Sequence, residues 1–377
     1  MRIGLLAPLI APLTDTQVGG AQALVCDLAA ALAGRGHDVE VIAAAGSAVP
    51  GITVVDSGVD ACEVSPARFY AGVYDPRRSP GIDAMPRSSS PRSNGGTRSD
   101  PGADRAHRRA LEVARARDYA ILHTHAFDAA AILHAGGCAG AVVHTLHLPP
   151  DPAIAAALAQ ARSARRPPAV VCVSAAQARA WTRVCPIDAV LANGVPVADI
   201  AWERDAGEVA VFAGRLSPEK GVDDAVVIAL RNGLDVEVYG GAYDAAFAAR
   251  CRRRWRAHRG VRFCGAVPRR DLWRRLSRAL ALLVPSRWDE PFGLAAAEAQ
   301  AAGTPVVGYR AGGLAEVVDD GRSGFLVEPG DVDAAAAALG RAGDLSRAGC
   351  RRHAERNLDI VATAAAHERL YTALLGG

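Results

Sequence analysis

The sequence predicts an α/β protein of two doubly wound parallel sheets facing one another across a cleft. Length is the first reason: 377 residues, half of them hydrophobic, exceed what one core accommodates and imply two domains of roughly 150 to 200 residues each. Alternation is the second, because short apolar, β-rich runs recur along the chain and most are followed by Ala-rich helical stretches, as in βαβ units. The third is a break at NGVPVADIAWERDAGE, residues 193–208, which combines turn signals with charge between two such series.

Strands are expected in the first half at Arg2–Leu6, Val39–Ala43, Ala120–His123, Ala141–His144 and Ala169–Val173. Those of the second half are expected at Val209–Ala213, Val236–Tyr239, Val261–Cys264, Ala281–Pro285, Val306–Tyr309 and Gly324–Val327. The domains are placed at residues 1–197 and 198–377, and the last helix is a candidate to pack back on the first domain. Ligands of open parallel sheets bind outside the carboxyl ends of the strands, so the interdomain cleft is the expected active site. The segment Asp75–Arg105 breaks the scheme, being rich in Pro, Ser, Gly and Arg without an apolar period. It reads as a flexible insertion, either a lid or acceptor-binding loop or a tolerated surface loop.

Composition excludes several partners. A net charge of +3 with interleaved signs does not argue for nucleic acid, and the Arg-rich run at residues 250–259 reads as a solvated helix face. No stretch is long and apolar enough to span a bilayer. The apolar N-terminus is interrupted by Pro8 and Pro12 and reads as a buried strand rather than a signal peptide. Eight scattered cysteines without metal-ligand spacing suit a reducing, cytoplasmic compartment.

The strongest chemical signal is EPFGLAAAE, in which Glu290 and Glu298 flank a Pro-Phe-Gly turn opening an Ala-rich helix. If the span were helical throughout, eight residues at about 1.5 Å each would separate the carboxylates by up to about 12 Å, the scale of a nucleotide sugar. Carboxylates accept from vicinal hydroxyls, while free N–H groups at Phe292, Gly293 and Leu294 would face a phosphate, aided by the helix dipole. An arbitrary glutamate pair is more often a solvated helix surface; the preceding strand LALLVPS and the following AAGTPVVGY place this one at a strand's carboxyl end.

These residues resemble the paired-glutamate motif of the GT4-like retaining glycosyltransferases, enzymes of the GT-B fold with two Rossmann-like domains. Upstream, GRLSPEKG supplies Gly214, Arg215 and Lys220, which match the family's grip on the donor diphosphate. Fixed cations there would stabilise the negative charge developing on a departing diphosphate. With two cations and a helix N-terminus no metal is required, and Asp223 and Asp224 read as first-turn helix acids rather than metal ligands. The resemblance extends to Gly19 and Gly20, a glycine turn closing over the phosphate from the first domain. It also covers Gly265 and Val267, a backbone segment beneath the base, and Gly312, Gly313 and Glu316, read as structural support.

His123 and His125 stand two apart at a strand end and so share a face. The resemblance assigns sugar contact to His125 first and His123 second. His147, after the next strand, is an acceptor-side candidate; a metal site using His144 and His147 lacks chemical support.

The resemblance therefore implies a retaining transfer from a nucleotide-diphosphate sugar, UDP-linked by family frequency, to a small-molecule or glycan acceptor. It implies no cofactor beyond the donor itself, and Glu290, Arg215, Lys220 and His125 as the catalytic group. Rival readings are an epimerase or phosphorylase of the same fold and a noncatalytic nucleotide-sugar-binding module.

Overall fold

The computed structural model describes residues 1–16, 19–64, 101–205, 207–242 and 244–376. The first sheet contains β1 (Arg2–Leu6), β2 (Asp38–Ala43), β3 (Thr53–Asp56), β4 (Ile121–Thr124), β5 (Ala141–Leu146), β6 (Ala169–Cys172) and β7 (Ala189–Val190). Their order is β3-β2-β1-β4-β5-β6-β7 and every pairing is parallel. Helices α1 (Gly20–Gly34), α2 (Pro101–Arg115), α3 (Ala129–Ala135), α4 (Pro152–Arg162) and α5 (Ala175–Trp181) accompany it. The second sheet holds β8 (Ala210–Ala213), β9 (Val236–Tyr239), β10 (Val261–Gly265), β11 (Ala281–Val284), β12 (Val306–Tyr309) and β13 (Gly324–Val327). Its order is β10-β9-β8-β11-β12-β13, again all parallel. Around it lie α6 (Val222–Arg231), α7 (Ala245–Trp255), α8 (Arg269–Ser277), α9 (Leu294–Ala301), α10 (Leu314–Val317) and α11 (Val332–Gly340), followed by α12 (Arg347–Asn357) and α13 (Ile360–Leu375).

Strand order reverses between β1 and β4 and between β8 and β11, which makes two switch points where loops diverge and leave a crevice. Strands buried on both faces read as unbroken apolar runs; Ala169–Cys172 and Val306–Tyr309 are buried at every residue. The two strands that local pattern does not announce are β3 and β7. The first is a four-residue edge ending in Asp56 and the second is two residues long, too short for a period to register.

Of the segment Asp75–Arg105, residues 75–100 lie outside the described residues, whereas 101–105 are helical and not insertion. Pro101 and Gly102 suggest a break, yet proline is at home in a first helical turn. The apolar face from Ala103 and Ala106 through Ala110, Leu111 and Ala114 docks on the sheet. The Arg-rich run falls on α7, whose Phe247, Cys251 and Trp255 are buried and whose Arg252, Arg253 and Arg254 are exposed.

Helix α13 lies against α1 rather than against the second sheet. Its start is tied to the first domain by a bridge between Val195 and Asp359 and its body by an ion pair of Glu368 with Arg35 and a hydrogen bond of Glu368 with His37. A second tie runs the other way: the Glu316 carboxylate on α10 accepts from the Ala175 and Ala176 N–H groups at 2.8 and 2.7 Å, capping α5 across the domain boundary. Among the described residues no helix is long and apolar enough to cross a membrane, and the eight cysteines are free thiols.

Candidate active site

The loops leaving the carboxyl ends of β1, β4, β5 and β6 face those leaving β8, β9, β10 and β11 across one cavity. Gly19, Gly20, Phe127 and His147 line it from the first domain, and Arg215, Lys220, Glu290 and Glu298 from the second. Two helix N-termini meet there. Helix α1 starts at Gly20 behind Gly19, and α9 starts at Leu294 behind Gly293; neither has a side-chain cap. A Cβ built on Gly20 would lie 3.7 Å from Leu294, so the two starts nearly touch. Their uncapped first-turn N–H groups, with both helix dipoles, create a positive potential suited to an anion.

Helix α9 can sit this deep because it is built of alanine: Ala296, Ala297, Ala299 and Ala301 are fully buried, and small side chains let its backbone lie close against the sheet. Its turn is braced from behind. Gly313 donates its N–H to the Glu290 carbonyl at 2.6 Å, and a Cβ on Gly312 would lie 2.4 Å from that same oxygen, at a φ of +57°. Only glycine fits there.

Lys220 and Glu290 form the centre of the site. The ammonium lies 2.6 Å from Glu290 Oε1 and 4.9 Å from the centre of the Trp288 ring, and Ser286 donates to the same carboxylate oxygen at 2.5 Å. Burial pushes the Glu290 carboxyl upward, but the Lys220 charge and the hydrogen bonds from Lys220 and Ser286 outweigh it and hold the group below the usual carboxylate range. Glu290 is thus an ionised hydrogen-bond acceptor, not a buried acid. Arg215, largely shielded, lies 3.5 Å from Glu219. Asp223 and Asp224, beside this loop, serve the fold: Asp223 accepts from the Trp255 indole at 2.6 Å, and Asp224 holds Arg287 and the Tyr309 hydroxyl.

Glu298 reaches the cavity farther along α9, and its partner is a residue local sequence did not single out. Arg269, at the first position of α8, donates from Nε to Glu298 Oε1 at 2.5 Å and from Nη1 to Asp27 Oδ1 on α1 at 2.7 Å. In sequence, VPRRD signals only a helix start; the arginine's importance comes from carboxylates 29 and 242 residues away.

Val267 lines the cavity together with Ala266, whereas Gly265 does not; its carbonyl is taken by the Gly240 N–H. Gly214, Phe292, Gly293 and Leu294 line the cavity as well. Of the histidines, only His147 reaches the lining. His125 stands behind it, fully buried, with its Nδ1 2.9 Å from His147 Nε2. His123 is a correction to the expectation of sugar contact: it points into the core, both ring nitrogens taken by Tyr371 and Thr145 at 2.6 and 2.7 Å. The two rings do share a face, their centres 4.1 Å apart; His123 misses the cavity because its ring lies deeper, on β4 itself and against Tyr371 of α13. His144 faces away, bonded to Thr124, and among the described residues no cluster of three metal-ligating side chains occurs.

Two doubly wound parallel domains whose facing strand ends enclose an anion-tuned cavity define a GT-B-type architecture. The description "Glycosyltransferase Family 4" matches residues 18–199 and "Glycosyl transferases group 1" matches residues 201–348. The chain belongs to the GT4-like glycosyltransferases. It is 39% identical over 134 residues to a glycogen synthase of Mycobacterium tuberculosis (strain ATCC 25618 / H37Rv), covering 34% of this chain and 32% of that one. With a D-inositol 3-phosphate glycosyltransferase of Streptomyces scabiei (strain 87.22) it shares 36% identity over 189 residues, covering 44% and 42%. The matched stretches therefore span less than half of either relative. Among solved structures, a sucrose-phosphate synthase from Thermosynechococcus elongatus is similar with a TM-score of 0.75 at 19% identity, covering 100% and 99% of the two chains. Anabaena Alr3699/HepE in complex with UDP-glucose gives 0.71 at 18% identity, covering 99% and 100%. At such identities the likeness is one of fold.

Proposed function

We propose that this protein transfers a hexosyl or N-acetylhexosaminyl group, with retention, from a nucleotide-diphosphate sugar to a hydroxyl of a small-molecule or glycan acceptor. The observation that carries the reading is the convergence of Lys220, Arg215 and two uncapped helix N-termini on one cavity that Glu290 and Glu298 also line. Four positive elements suit a diphosphate, and carboxylates beyond them suit the sugars at its two ends. Glu298 takes the hydroxyl pair of the ribose and Glu290 the transferred sugar. The UDP-glucose bound to the Anabaena protein of like fold supports a uridine donor.

In the reaction, the bond from the anomeric carbon to the β-phosphate oxygen breaks and a bond to the acceptor oxygen forms on the same face. The acceptor's proton passes to the departing phosphate oxygen. Lys220, within reach of Glu290, shares its charge between that carboxylate and the donor phosphate, so a buried cation never stands alone. His147, at the cavity wall with His125 behind it, orients the acceptor or transferred sugar. Closure of the domains excludes water and protects the donor from hydrolysis. The charge inventory makes a divalent metal unnecessary, and the free thiols fit a cytoplasmic setting.

Thermal shift against a panel of UDP- and GDP-sugars identifies the donor, since a ligand of the native state raises stability. Turnover in the presence of a chelator, with the anomeric configuration of the product read by NMR, then tests metal independence and retention. Glu290→Ala is expected to keep nucleotide binding and lose transfer by at least about a hundredfold; a variant with undiminished turnover refutes the assignment of Glu290.

A further inference from the structure

The two cations assigned to the donor's phosphates come from one short loop, and each meets a carboxylate, but the two carboxylates are placed differently. Lys220 pairs with Glu290, which lines the cavity. Arg215 also lines the cavity, and its Nη2 lies 3.5 Å from Oε1 of Glu219, which does not. Glu219 is only 3% exposed. Buried and outside the lining, it reaches a bound ligand only through Arg215.

The loop holds this carboxylate firmly. Pro218–Lys220 form a single 3-10 turn, closed by Gly221 at a φ of +68°, where a Cβ would lie 2.0 Å from the Pro285 carbonyl oxygen. The Glu219 carbonyl accepts from the Arg287 N–H at 2.8 Å, and Arg287 is itself paired with the buried Asp224. Within the turn the Ser217 hydroxyl donates to Glu219 Oε1 at 2.6 Å, and this is the same oxygen that faces Arg215. An acid beside a phosphate-binding cation weakens the local positive potential, so its presence calls for a gain elsewhere. It balances a shielded guanidinium while no phosphate is bound, and by pinning one nitrogen of a long side chain it limits the directions in which the rest of the fork can point.

We propose that Glu219 is a positioning residue for the transfer: through Oε1 it holds the Arg215 guanidinium in the orientation that meets the donor diphosphate. This rests on the donor-site assignment of Arg215 given above.

Displacement titration with UDP and with uridine isolates the phosphate contribution, because uridine lacks the group that Arg215 holds; GDP and guanosine take their place where the thermal-shift panel selects a guanine donor. The wild-type protein is expected to prefer the diphosphate by about a hundredfold or more, and Glu219→Met, which keeps the size and loses the acceptor, to prefer it about tenfold less with nucleoside affinity unchanged. Glu219→Gln, whose amide oxygen takes the place of Oε1, should keep the preference. In an Arg215→Met background, Glu219→Met should change nothing further, since its effect passes through the side chain already removed. Ser217→Ala releases the same Oε1 and leaves the ion pair in place; it should lose about threefold, and it decides the matter if Glu219→Met does not fold. The positioning role is overturned by the full preference in a folded Glu219→Met or, failing that, in Ser217→Ala. Loss of the preference in Glu219→Gln, or an undiminished effect of Glu219→Met without Arg215, overturns it as well. A wild-type protein that binds UDP no better than uridine and GDP no better than guanosine overturns instead the diphosphate assignment on which this role stands.

Discussion

Mild acid should destabilise this protein well above the pH at which carboxylates titrate. His123, His125, His144 and His367 are each 2% exposed or less, and burial depresses all four ring pKa values, to about 4 for His144 and His367 and well below the ordinary 6.5 for the other two. His123 and His125 also repel each other's charge, their ring centres being 4.1 Å apart. The sign follows from proton counting: the unfolded chain binds protons near 6.5 while the folded rings do not. The stabilisation is therefore complete above the unfolded value and is lost as pH falls from there toward the folded values. Between about pH 7.5 and about pH 5.5 each ring loses about 1.4 kcal/mol. His144 and His367 together account for about 3 kcal/mol, and His123 and His125 enlarge the loss. Since the four rings lie in or just past strands of the first sheet or on α13 packed against its helix, the melting of that half should fall by at least about 6 to 12 °C. Thermal or urea denaturation across this pH range, with the histidine ring protons followed by NMR, measures it. Equal stability at the two pH values, or ring resonances titrating near 6.5, would refute the burial argument.

Two further outcomes test the supports of the site. Gly312→Ala forces a Cβ into the Glu290 backbone at a left-handed φ and should cost at least about 2 kcal/mol in denaturation while depressing transfer, because the turn carrying Glu290 must move. Glu316→Ala removes the cap that α10 places on α5 and should cost about 1 kcal/mol; an unchanged unfolding midpoint counts against that interdomain tie.

Local sequence determined most of what makes this a two-sheet protein with a donor-type cleft. Apolar runs of four to six residues followed by alanine-rich stretches announce strands such as β1 and β8, and Arg215, Lys220 and Glu290 are legible because each lies in the loop that follows a legible strand end, with Glu298 on the alanine-rich helix after it. What local pattern does not contain is how deep a side chain comes to lie, which is why His123 and His125 look equivalent in sequence while in the fold one meets Tyr371 and the other His147. Nor does it contain pairings between distant elements. Asp27 and Arg269 are 242 residues apart and Ala175 and Glu316 are 141 apart, and each lies in a stretch whose local pattern is satisfied without the other. Helix propensity and apolar periodicity are summed over neighbours in the chain, whereas a buried charge is settled by whatever reaches it in space, and Arg269 is reached by Glu298 of its own domain and by Asp27 of the other.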